Sequence, residues 1–172
     1  MSGLIDQPGA RSGVLGTIGT SLSSQDLSGV NARTFTGITK SAKFIIVNLY
    51  GASLVSSSGS DILVQLGDKD GIDTSSYINS SCIVGSTTAN VTNTSGFIIG
   101  VGSASRAFYG QMILSMIDTE NRWLSSHNGS LTTTIAVVGG GQHKLDKTLT
   151  QLKITTASAA NFDAGIASVI YY

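Results

Sequence analysis

The 172-residue chain has one cysteine, Cys82, one proline, Pro8, and only 12% charged residues. Each shortage excludes something. A single thiol cannot close an intrachain disulfide, and with both histidines distant from it no familiar zinc spacing is present, so stability has to come from packing. One proline, close to the start, leaves all later segments free to pair as strands. Ten Lys and Arg balance ten Asp and Glu, so no long-range field draws the protein to phosphate backbones or anionic lipid, and nucleic acid is not an expected partner. The usual charged share is about 25%. Here Ser and Thr, about a quarter of the chain, must coat the surface in place of ions, and a net charge near zero favours association between copies. No run of about 18 apolar residues and no charged-then-apolar leader is present, so neither membrane insertion nor a secretory signal is expected.

What is there divides in two. Residues 1–30 contain six glycines and no helical or strand period. Leu4, Ile5, Val14, Leu15 and Ile18, with Pro8 and Arg11 among them, make this stretch too apolar for an ordinary linker. It reads as an extended arm that orders by lying on another molecule's surface. Residues 31–172 read as one domain, a length sufficient for a single core.

That domain is patterned for strands. "KFIIVNLYGASLV" is a β-branched and aromatic run of the kind buried on both sides, with Phe44 and Tyr50 in the core. "DILVQLGD" alternates, placing Ile62, Val64 and Leu66 on one face. "SYINSSCIVG", "SGFIIGVG" with Phe97 in the core, "FYGQMILSMIDT", "RWLSS", "LTTTIAVVG" and a closing "FDAGIASVIYY" follow the same rule, each flanked by turn-forming residues. "HKLDKTLTQLKITT" also has leucines at helical spacing, but its threonines favour a strand. Eight or more short strands with almost no helix predict an all-β, antiparallel β-sandwich, a jelly roll or a relative of it.

Few groups suggest chemistry. Asp68, Asp70 and Asp73 around Gly71 read as a turn, with a hard-cation loop as the alternative, although an EF-hand's closing glutamate is missing. "VVGGGQH" lacks the spacing of a phosphate loop and reads as a wide turn. His127 and His143 read as solvated turn residues, and without a GxSxG elbow nothing places a base beside a nucleophile, so neither an enzyme nor a cofactor is expected. Trp123, Tyr109, Tyr77 and Phe108 are either core or sugar-stacking rings; for Trp123, beside Arg122, both readings stand. With His127 and Asn128 close by, Trp123 and Tyr109 are the candidate glycan contacts.

The order "KFIIVNLYGASLVSSSGSDILVQLGDKDGIDTSSY", "GFIIGVGSASRAFYGQMILSM", "VVGGG", "LTQLKIT" and "FDAGIASVIYY", behind an opening "MSGLIDQPGARSGVLGT", resembles the jelly-roll domains of tailed-bacteriophage structural proteins, including head-fibre, capsid-decorating and tail-fibre proteins. The resemblance spans most of the chain but carries no defined set of functional residues. It implies a virion component assembled in the host cytoplasm, a homotrimer bound to other capsid or tail proteins through its N-terminal arm. No heptad run precedes residue 33, which favours a head-decoration, head-fibre or short tail-appendage protein over a long fibre. The alternative is a tail-fibre module that binds host-surface carbohydrate.

Overall fold

A computed structural model describes residues 19–55, 59–117 and 119–172. Its strands are β1 (Thr20–Asp26), β2 (Ala32–Thr36), β3 (Phe44–Leu54), β4 (Ser60–Asp68), β5 (Gly71–Ile72), β6 (Ile78–Val84), β7 (Thr88–Thr92), β8 (Phe97–Gly102), β9 (Phe108–Met116), β10 (Arg122–Ser130), β11 (Ala136–Lys144), β12 (Gln151–Thr156) and β13 (Phe162–Tyr171). No helix occurs among the described residues, and the ambiguous leucine-spaced segment ends in strand β12. The fold is all-β and antiparallel, as the alternation predicts.

Two sheets form the sandwich. One runs β1-β13-β3-β9-β10-β11-β6-β7; the other runs β2-β12-β4-β5, with β8 also paired to β4. The pairs β3 with β13, β4 with β12, β6 with β11 and β9 with β10 are nested in sequence, as in a long hairpin folded over between two sheets. The division into eight and five strands departs from the two equal sheets of a simple eight-stranded jelly roll. A bulge lets β13 bend along β3: Gly165 has φ +124°, and a Cβ there would lie 2.7 Å from the Ala52 Cα, so only glycine fits.

The core fills the space between the sheets with Trp123, Tyr77, Phe35, Phe97, Phe108 and Phe162, each under 2% exposed. Two strands reverse the facing read from their letters. β3 has one buried face, with Ile45, Val47 and Leu49 inside and Tyr50 70% exposed, because nothing among the described residues covers the outside of the larger sheet. β4 is buried on both sides, with Leu63 and Gln65 as well as Ile62, Val64 and Leu66 under 5% exposed, and Gln65 donates to the Ser95 carbonyl at 2.8 Å. Tyr50 and Phe44, which share the outward side of β3, are therefore not core residues, whereas Phe97 is.

Part of the stretch whose composition reads as an arm belongs to the sandwich. Thr20–Asp26 pairs with β13, Thr20 opposite Tyr171 and Asp26 opposite Ile166, as an edge strand of the larger sheet. An edge strand buries little, which is why these polar residues carry no strand signal. The arm residues Leu4, Ile5, Pro8, Arg11, Val14, Leu15 and Ile18 lie outside the described residues.

Candidate functional site

The polar residues of the larger sheet fall into an inner seam and an outer face, and the glycines of β11 shape both. Gly139, Gly140 and Gly141 stand in mid-strand, paired to β10 on one side and β6 on the other, and not in a turn. Alternation points positions 139 and 141 inward. A Cβ at Gly139 would lie 2.5 Å from His127 Cε1, and one at Gly141 would lie 2.2 Å from the Asn79 Cβ. The missing side chains let His127 on β10 reach across β11 to Ser81 on β6, Nε2 to Oγ 3.0 Å.

From β6 the seam continues to the other sheet. Ser81 Oγ donates to the Ile99 carbonyl at 3.0 Å, while the Asn79 carbonyl oxygen accepts from the Ile98 amide at 2.8 Å and its amide donates to Gly96 O at 3.0 Å. These bonds fasten β6 to β8 and close the sandwich on that side. They also decide the chemistry of the Ser81–His127 pair. With its one proton committed to Ile99, Ser81 accepts from His127 Nε2–H, the reverse of a serine nucleophile handing its proton to a base. His127 is 4% exposed, and its Nδ1 has no partner among the described residues.

Burial pushes His127 down to about 4, against a small opposing effect of the Ile99 carbonyl. In the unfolded chain this ring protonates near the ordinary value of about 6.5. Stability from keeping it neutral is therefore complete above pH 6.5 and is lost as pH falls toward 4. Chemical denaturation at pH 7 and pH 4.5 is expected to differ by about 2–3 kcal/mol more in the native chain than in His127→Gln. Equal pH dependence in the two chains would show that His127 is not the group responsible.

His143, one strand over, is also buried rather than solvated. It stacks on Tyr77 at 3.8 Å between ring centroids and meets Asp73 Oδ2 through Nε2 at 3.1 Å. Burial raises the Tyr77 phenol well above its ordinary value, and its oxygen accepts from the Leu66 amide at 2.7 Å. The three aspartates of the candidate cation loop are thereby separated. Asp73 is turned to His143, Asp68 accepts from the Asp70 amide at 2.7 Å, and Asp70 pairs with Lys147 and with Lys69. Hydrogen bonds first from Lys147 and then from Lys69 hold the Asp70 carboxyl at about 2. Among the described residues no group of three or more His, Cys, Asp or Glu could hold a metal ion.

The outer face is different in kind. Its positions are every second residue of 166–172 on β13, 44–50 on β3, 109–115 on β9, 124–130 on β10, 136–142 on β11 and 78–84 on β6, aligned by the pairing registers. None of these residues is charged; the next outward pair, Arg122 on β10 and Lys144 on β11, marks the charged rim of the face. Ile170, Ile46 and Ile113 make one row across three strands, and Tyr50 meets Tyr109 edge to face at 5.2 Å. Toward the far edge Ile78, 66% exposed, and Leu124, 39% exposed, flank a depression of about 500 Å³ over Gly140, and Val138, 53% exposed, stands in the neighbouring row.

The candidate glycan contacts are not brought together. Trp123 is 1% exposed, and it and His127 face inward from β10, out of reach of a surface-bound sugar. Tyr77 and Phe108 are core rings. Only Tyr109 and Asn128 face outward. The Ser81–His127 pairing and the uncharged face escape a linear reading because each joins strands far apart in the chain. Comparison with protein-family models, curated protein sequences and solved structures returns no match.

Proposed function

We propose that this chain is a non-enzymatic structural protein of a tailed-bacteriophage virion. It is a head-decoration, head-fibre or short tail-appendage component that assembles as a homotrimer, held to the particle by its leading segment and projecting a jelly-roll-related sandwich. The observation that carries the reading is the position of β1. It sets Gly19, the first described residue, at the edge of the larger sheet, beside the Tyr172 ring. The buried cluster, meanwhile, is already assembled from Leu27 to Tyr171. An apolar, glycine-rich leader of this composition gains its order by docking on a neighbour. The nested strand pairs and the reversed Ser81–His127 hydrogen bond support the same reading, as does the family resemblance of the sequence.

Deletion of residues 2–17, which spares β1, tests it. The shortened chain is expected to keep its thermal midpoint within about 2 °C, less than the shift from about 1 kcal/mol in a protein of this size. It is also expected to be absent from purified particles. Undiminished incorporation would remove the docking role.

A further inference from the structure

We propose that the uncharged outer face of the larger sheet is the contact surface between copies of this chain. The proposal rests on the assembly reading only for the expectation that several copies meet; the choice of face comes from its chemistry, size and relief. The central four rows across β13, β3, β9, β10, β11 and β6 include no Asp, Glu, Lys, Arg or His, in a chain that has twenty Asp, Glu, Lys and Arg residues to distribute; the nearest charged outward positions, Arg122 and Lys144 at the ends of β10 and β11 and Asp26 on β1, stand at the rim. Interface cores are depleted of charge in this way, because an ion buried without a partner is costly. A partner rich in acid or base would find nothing in these central rows to pair with. A second copy presents the same chargeless surface and brings no repulsion.

Size agrees. Six strands about 4.8 Å apart and four outward rows about 6.7 Å apart give roughly 700 Å², close to the ~800 Å² that each partner contributes to a stable complex. The face also has relief. Tyr50, 70% exposed, and Ile78, 66% exposed, project from it, while the glycine column leaves the depression over Gly140 for a side chain of the neighbouring copy to fill. Exposed apolar patches of a few hundred Å² or more on a soluble protein mark such contacts.

Sedimentation of the full-length chain over about 1–200 μM, the range in which an interface of this size is normally occupied, tests the proposal. The native chain is expected to run as a dimer or closed trimer. Val138→Lys and Tyr50→Lys each place a charge on an exposed outward position and are expected to weaken association at least about tenfold, with the fold retained by circular dichroism. Val55→Lys, equally exposed at 58% but off the face, is expected to leave the mass unchanged. A native monomer across the range overturns the proposal, even one that binds glycan. So do two face variants that keep the native mass, or a Val55→Lys that dissociates as they do. Association lost on deletion of residues 2–17 but intact in the face variants also overturns it, and assigns the contact to the leading segment. The particle-docking reading is judged separately, by incorporation of the truncated chain, and survives each of these failures.

Discussion

Valine in place of Gly141 is expected to destabilise the protein by more than about 3 kcal/mol, a large part of the ~5–15 kcal/mol that holds a domain together. The first atom of the new side chain would lie 2.2 Å from the Asn79 Cβ and 2.4 Å from the Ile78 carbonyl oxygen. Neither contact yields to a rotamer change, because one atom is backbone and the other is fixed to it. β11 would have to move away from β6, and with β6 would go the hydrogen bonds from Asn79 and Ser81 that hold β8. Gly139→Val should behave alike, since its Cβ would lie 2.3 Å from the Ser80 carbonyl and also displace the His127 ring. Gly100→Ala is the matched control. Its Cβ would sit 3.5 Å from Leu131 and Val137, which is ordinary contact, and the lower entropy of the unfolded chain makes this change neutral or slightly stabilising. Urea denaturation of the three variants checks the contrast. A Gly141→Val protein as stable as Gly100→Ala would mean that β11 and β6 are not packed as described.

The same glycines show where the sequence is hard to read. Three in a row are a turn signal by local preference, yet here pairing partners on both sides decide, and the close approach of Asn79 and His127 is what demands glycine. Period-two alternation was a sound guide to which segments become strands and a poor guide to which face is covered. β3 and β4 exchange roles because coverage depends on what packs outside a sheet, and the letters of a strand do not contain that. The buried histidine was within reach. In "RWLSSHNGS", Trp123, Ser125 and His127 occupy alternate positions, so a core tryptophan implies a core histidine. The outer face was not. Its isoleucine row draws Ile46, Ile113 and Ile170 from strands separated by more than fifty residues each, and only the order β13-β3-β9 sets them side by side.

Trp123→Ala is expected to cost about 4 kcal/mol, the middle of the range for deleting a large aromatic side chain from a packed core. In a chain of this length that lowers the thermal midpoint by about 10 °C. The indole stands opposite Met116 of β9 and His143 of β11, inside the sandwich, and is 1% exposed. Truncation would open a cavity where the two sheets meet and uncover the stacked Tyr77–His143 pair beside it. A second substitution separates bulk from polarity. The indole Nε1–H is buried with no hydrogen-bond partner among the described residues, a condition that itself costs about 1–3 kcal/mol. Trp123→Phe keeps most of the ring and removes that donor, so its loss is expected to stay under about 1 kcal/mol. A surface ring poised for sugar would give the opposite pattern: both variants would lose ligand and neither would lose stability. Calorimetry of the two proteins distinguishes the cases, and an unchanged midpoint in Trp123→Ala would move the side chain out of the core and return it to the surface reading.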